Sequence, residues 1–440
     1  MFLNNRSTAF LSALFGLANT LFGQQGTARY IATPIDIHFT SDGSPPEASN
    51  SRFFRPSALG ENGVLAGTYS IYNVKGFAAI TGPDRQGVFA LGGLYPTPRP
   101  APIEVTGVRQ DAWFTSSGLF NDSTSSAVAI NGSSQVTGAA HTYVDGVGMV
   151  WRAFITDPNG VGMRDLGLPS VPGAVNTLGT GVNDSGQVIG IVSGYYGGIA
   201  GFITGPNGAG MRVLGNVGEY VKPTDIANDG RVAGVAWSGL GGASRAFITG
   251  PDGVGITVLG TLGGGSTPIS IWSEATGING SGQVVGNSSV LGNDMQAFVT
   301  GPGGVGMVGL GTLGGAQSAA YDINDKGEVV GWADMDPATV PTTRAFLYHP
   351  DLGGMVDLNS LVSIGGGGFL EHAIAINDAG QILAAGGGAN WLLTPVAVPE
   401  ASTWAAICAV CVLGGSVRWL RSRRSFRERD GNARDALVQS

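Results

Sequence analysis

One ten-residue element, written seven times, limits what this chain can fold into more than any other feature. It reads ALGENGVLAG (Ala58 to Gly67), AINGSSQVTG (Ala129 to Gly138), GVNDSGQVIG (Gly181 to Gly190), DIANDGRVAG (Asp225 to Gly234), GINGSGQVVG (Gly277 to Gly286), DINDKGEVVG (Asp322 to Gly331) and AINDAGQILA (Ala375 to Ala384). The last positions are separated by 71, 52, 44, 52, 45 and 53 residues. Self-similarity at such a period marks stacked units, none of which buries its apolar face alone. Locally the element is a hairpin. An apolar residue such as Ile278 or Ile323 starts a strand, Asn with Asp or Gly follows, a Gly supplies positive φ, and an alternating strand resumes. Asn183-Asp184, Asn324-Asp325 and Asn377-Asp378 are expected to cap these turns by bonding their own backbone. Calcium loops are the other use of acidic turns, but the alternate carboxylates and bidentate Glu of such loops are missing.

A second element alternates with the first: AFITDPNGVGMRDLG (Ala153 to Gly167), GFITGPNGAGMRVLG (Gly201 to Gly215), AFITGPDGVGITVLG (Ala246 to Gly260), AFVTGPGGVGMVGLG (Ala297 to Gly311) and AFLYHPDLGGMVDLN (Ala345 to Asn359), with a looser copy from Gly76 to Gly93. Phe-Ile-Thr reads as a strand, Pro-Asn-Gly as a turn and Met-x-x-Leu as the returning strand. Two hairpins give four strands in about 49 residues, the measure of a β-propeller blade rather than of a β-helix coil or an immunoglobulin sandwich. The spacing therefore predicts an all-β propeller of about seven four-stranded blades over residues 29–395. Extra length between Gly67 and Gly138, including Tyr95 to Pro102, is a long loop or a degenerate blade. The last unit stops at Pro395 before its fourth strand, so the segment from Ala28 to Phe39 is expected to complete that blade. An open superhelix is the rival.

Composition agrees. The chain has 75 glycines in 440 residues, 43% hydrophobic and 12% charged residues. Glycine without a three-residue period excludes collagen, and this much apolar surface with so little charge excludes disorder. Of 23 basic residues, 15 fall between 29 and 400, against 28 of 31 acids, so the body carries a net charge of −13. A body of that sign repels phosphate backbones, and no nucleic-acid partner is expected.

The ends read as export signals. Arg6 precedes the apolar run from Ala9 to Phe22 and small residues up to Ala28, the layout of a signal peptide over residues 1–28 with cleavage between 23 and 28. At the other end, Val398, Pro399 and Glu400 precede about 17 mostly apolar residues, 404–420, which at 1.5 Å each span about 25 Å, enough for one transmembrane helix. Arg418, Arg421, Arg423 and Arg424 form a basic stop on the cytoplasmic side. Cys408 and Cys411, the only cysteines, lie inside this run, so the body has no disulfide.

Residues 396–440 resemble the PEP-CTERM sorting signal of exported bacterial proteins, with Ala401 in place of that pattern's second proline. The resemblance implies recognition by a membrane-embedded exosortase. The paired body elements resemble HAF-type extracellular repeats. The Ala-Phe of that pattern stands at Ala153-Phe154, Ala246-Phe247, Ala297-Phe298 and Ala345-Phe346, while Arg152, Arg245, Gln296 and Arg344 replace its His. That resemblance implies an exported repeat protein and no established activity.

Catalytic and metal-binding constellations are not evident. Gly309 to Gly314 spells GxGxxG, yet Leu259 to Gly264 repeats its pattern as a blade-to-blade turn, so no cofactor is expected. The four histidines fall in different units. Trp237, Trp272 and Trp332, with Tyr195 and Tyr196, lie in or near loops after the second strand of successive units. There they either stack on sugars or cover the core between blades. The expectation is an exported, non-enzymatic surface or matrix protein, membrane-anchored at its C-terminus at least before processing, that binds an extracellular polysaccharide or another surface protein. The alternatives are a glycan-active hydrolase or lyase with acids at the channel, and a purely structural envelope protein.

Overall fold

The computed structural model describes residues 29–35, 52–71, 75–81, 88–91, 103–105, 108–110, 124–144, 146–194, 199–215, 220–237, 243–263, 271–290, 294–337, 343–352, 354–364 and 368–396. The signal-like start, the sorting motif, the apolar run 404–420 and the arginines behind it lie outside the described residues.

The body is a seven-bladed β-propeller, with no α-helix among the described residues. From the centre outward, blade 1 is Arg52–Leu59, Leu65–Ile71, Lys75–Thr81 and Val88–Ala90, and blade 2 is Ser125–Ile130, Val136–Val144, Gly148–Asp157 and Val161–Asp165. Blade 3 is Ala174–Val182, Val188–Gly194, Ile199–Thr204 and Met211–Leu214; blade 4 is Tyr220–Ile226, Val232–Trp237, Ser244–Thr249 and Ile256–Val258. Blade 5 is Ser273–Ile278, Val284–Ser289, Met295–Thr300 and Met307–Gly311; blade 6 is Gly314–Ile323, Val329–Met335, Thr343–His349 and Gly354–Asp357. In blade 7, His372–Ile376, Ile382–Gly386 and Ala389–Val396 are joined on the outside by Arg29–Pro34. The N-terminal strand thus closes the ring as its sequence predicts. The inner strand of blade 7 lies against that of blade 1, which excludes the open superhelix. The surplus after Gly67 is an addition to blade 1: Ile103–Val105 and Val108–Gln110 extend its edge through one parallel pair, Ala90 with Gln110.

The ten-residue element is the turn between inner and second strands. Ile278 and Ile323 end the incoming strand rather than start one. Asn279 N–H closes the turn on Gln283 O at 3.1 Å, leaving Ile278 paired with Val284 as the last rung of the ladder. Gly186 holds the required left-handed backbone at φ 74°, and Ser134 takes the same role in blade 2 at 58°.

The core is a series of seams between neighbouring blades. Ile189, Ile203 and Leu214 of blade 3 pack on Val221, Ile226 and Phe247 of blade 4, and Ile248 and Leu259 of blade 4 on Ile278 and Phe298 of blade 5. Hydrogen bonds sew the same seams. In three of the Ala-Phe pairs the Ala donates its N–H to a hydroxyl of the next inner strand, Ala153 to Thr177, Ala246 to Ser273 and Ala297 to Ser318, while Ala345 donates to Leu370 O instead. Arg152 and Arg245, in the position of the pattern's His, reach the next blade at the carbonyls of Val175 and Ile271. Arg344 lies 3.7 Å over the Phe369 ring instead.

Candidate functional site

Because the strands alternate in direction, both tight turns of a blade fall on one face of the ring. The Pro-Asn-Gly tip of blade 3 docks on the first turn through Asn207 N–H to Ser185 O at 2.9 Å and Gly208 N–H to Gly186 O at 2.8 Å. The opposite face carries the loops between second and third strands and the blade-to-blade connections.

On the turn face the repeated asparagine builds a ring around the channel mouth. Asn324 Oδ1 accepts N–H groups from Lys326 (3.1 Å) and Glu328 (3.0 Å), and its Nδ2 donates to Glu328 Oε2 at 2.6 Å and across the seam to Asn377 O at 3.2 Å. Asn131, Asn183, Asn279 and Asn377 likewise donate to Asn183 O, Ala227 O, Asn324 O and Gly60 O; where Gly60 and Ala227 replace the asparagine, Asn62 reaches Ser134 Oγ and Arg231 reaches Gly280 O across the seam instead. The asparagines cap their own turns as expected; the acids beside them do not. Asp184 accepts from Gly132 N–H at 2.8 Å, Asp325 from Gly280 N–H at 2.6 Å, Asp378 from Asp325 N–H at 2.7 Å and Glu61 from Asp378 N–H at 2.8 Å. Each carboxylate therefore caps the turn of the preceding blade; beside the three aspartates, Asn183, Asn324 and Asn377 have already satisfied their own turns.

Within this ring lies a cavity of about 190 Å³. Among its lining residues are Glu61, Asp184, Asp225, Asp322, Asp325 and Asp378, with no Lys, Arg or His among the described residues. Asp225 and Asp322 lie at strand bulges. Asp225 accepts from Ile226 N–H at 2.8 Å and from Ile278 N–H of the next blade at 2.9 Å; Asp322 accepts from Ile323 and Ile376, both at 2.8 Å. Burial pushes Asp225 up to about 6 against the pull of those two N–H groups. Burial, then the charge of Asp225, raises Asp322 to about 7. Glu61 is raised too, by burial first and then by its acidic neighbours. Carboxyls so placed can hold and release a proton near neutrality. Sequence reading passed over them, although one signal was present: Asp stands at the first position of the element in these two copies, where the other five have Ala or Gly.

The sequence-predicted aromatics belong to the loop face. Trp237 ends the second strand of blade 4 across from Tyr220, and Trp272 precedes the inner strand of blade 5 and donates its N–H to Ser289 Oγ at 3.0 Å. Trp332 lies in the second strand of blade 6, edge-on to His372 at 6.2 Å, with its indole N–H on the Tyr321 hydroxyl. All three are half-buried and stand on separate blades. Tyr195 and Tyr196 lie outside the described residues, as do Val398, Pro399, Glu400, Arg418, Arg421, Arg423 and Arg424.

No protein-family profile matches the chain, and no curated protein matches it. Among solved structures, the β-propeller domain of the trilobed protease from Pyrococcus furiosus, described as an open velcro topology, is similar at 8% identity and a TM-score of 0.41, over 63% of this chain and 86% of that one. A puromycin-hydrolyzing peptidase from Mycobacterium tuberculosis is similar at 12% identity and 0.43, over 77% of this chain and 50% of that one. A putative TolB from Agrobacterium tumefaciens is similar at 12% identity and 0.36, over 74% and 99%.

Proposed function

We propose that this is an exported bacterial surface or matrix protein whose propeller binds extracellular polysaccharide without turning it over. The export signals at the two ends of the sequence support the location, and the PEP-CTERM-like tail supports an exosortase as processing partner. One observation carries the binding role. The polar groups of the turn face are committed to closing the ring, whereas the loop face presents aromatic side chains at strand ends, where flat apolar surfaces meet solvent. The test incubates the purified full chain with immobilised neutral and anionic oligosaccharides while reducing ends are assayed in parallel. Retention without new reducing ends is the expected result.

A second reading draws on Asp225 and Asp322. Two half-buried carboxyls with raised proton affinity at a channel mouth are the groups a glycan-cleaving enzyme uses as acid and base. Turnover that disappears in Asp225→Asn or Asp322→Asn would replace the first reading with this one. Silence in both assays would leave a structural envelope component.

A further inference from the structure

Blade 2 differs from its neighbours in one respect that neither the repeat nor the ring requires. Its second and third strands, Val136–Val144 and Gly148–Asp157, are nine and ten residues long, against six each in blades 4 and 5. The surplus is a hairpin at the loop face, in register through Gly148 with Val144, Met149 with Tyr143, Val150 with Thr142 and Trp151 with His141.

The two faces of this hairpin are unlike. Thr142, Val150 and Arg152 are at most 6% exposed, and Arg152 is held by Val175 O of blade 3. The other face shows Tyr143 at 56% and Met149 at 37% exposure as one cross-strand pair. Beside it, His141 and Trp151 stack with centroids 4.3 Å apart and planes 25° off parallel. The Trp151 backbone is held to the next blade by its main-chain N–H on Asn176 Oδ1 at 2.9 Å. A tyrosine held this exposed beside a stacked pair gains nothing from the fold by its position. An aromatic strip so arranged is a flat, preorganised surface.

We propose that the strip of His141, Tyr143, Met149 and Trp151 is the docking platform for the pyranose rings of a neutral polysaccharide, an assignment that rests on the glycan-binding reading above. Electrostatics selects this occupant. The four side chains of the strip include no Asp, Glu, Lys or Arg, and aromatic faces are negative, so they attract the positively polarised C–H faces of a sugar ring. An anionic polymer, or a second copy of this chain, would bring like charge against a body of net charge −13.

The test titrates the full chain with cellohexaose, chitohexaose, laminarihexaose and, as the anionic control, hexagalacturonate, following tryptophan fluorescence and heat. At least one neutral hexasaccharide is expected to bind, and hexagalacturonate is not. Tyr143→Ala and Trp151→Ala should each weaken binding about tenfold, while Tyr143→Phe, which keeps the ring face, stays within about twofold. Val305→Ala, at a 74% exposed turn tip of blade 5 on the opposite face, serves as the control and should leave affinity unchanged. Since Tyr143 is exposed, its replacement leaves the fold intact. If a neutral sugar binds but neither alanine variant weakens it, the platform is wrong and the glycan reading stands. If no sugar binds, both fall.

Discussion

Phe202 is the cross-strand partner of Gly190 in blade 3, and its ring covers the glycine. A Cβ at Gly190 would stand 2.5 Å from Phe202 Cε1 and 2.0 Å from the carbonyl oxygen of Leu178. Phe154 with Gly138, Phe247 with Gly234, Phe298 with Gly286 and Phe346 with Gly331 repeat the pairing. The glycine that ends the first element and the phenylalanine of the second are thus one device. The bulged inner strand comes so close that no side chain fits, and the ring from the third strand fills the face left bare.

Gly190→Ala should therefore destabilise the protein by about 1–3 kcal/mol through overpacking. Phe202→Ala should cost about 3–5 kcal/mol. Combined, they should cost less than the sum, because truncating the ring relieves one of the two clashes. Urea unfolding of the full chain gives all three values, and strict additivity would break the proposed pairing.

Asn324→Asp keeps the Oδ1 acceptor of the turn but loses the Nδ2 bond to Asn377 O. A loss of about 1–3 kcal/mol is expected, since the buried carbonyl is left unpaired beside an added charge. Lys326→Ala, on an exposed turn position, should change the unfolding midpoint little. Equal effects from the two substitutions would remove the asparagine ring as a source of stability.

Asp225 at about 6 and Asp322 at about 7 lie above the unfolded aspartate value of about 3.9. The folded ring consequently binds protons that the unfolded chain has released. Stability should be highest below about pH 4 as far as these two groups are concerned and fall as pH rises to about 7, by on the order of a few kcal/mol. The urea midpoint at pH 5 should exceed that at pH 8, and the Asp225→Asn, Asp322→Asn double variant should flatten most of that difference. An unchanged slope in the double variant would assign the effect elsewhere.

Tyr30 is 7% exposed in the outer strand of blade 7, and its N–H reaches Leu361 O at 3.2 Å. Removing residues 29–35 uncovers the edge of Ala389–Val396, so limited proteolysis should cut the truncated chain well before the intact one. Tyr30→Ala should cost about 2–4 kcal/mol. Equal protease resistance with and without the strand would mean that the ring closes by other means.

Much of the architecture was legible because it repeats. A hairpin every half period gave four strands per blade, and the missing fourth strand of the last unit pointed to the N-terminus as its partner. Less of the site could be read. Asn324 and Asp325 looked like two caps of one turn, but Asp325 serves the turn of blade 5, a pairing between residues 45 apart in the chain. The strip on blade 2 was missed for a different reason: Tyr143 and Trp151 lie outside both repeated elements.

The sequence by itself determined the local geometry, since glycine, proline and asparagine impose backbone angles wherever they stand, and the period counts the units. Only the tertiary structure decided what those units do to one another. Asp225 and Asp322 become proton-holding groups because the closed ring removes water from them, and Tyr143 becomes a surface because its hairpin has longer strands than those of the blades on either side. Burial and exposure are properties of the assembled ring, and no single repeat carries them.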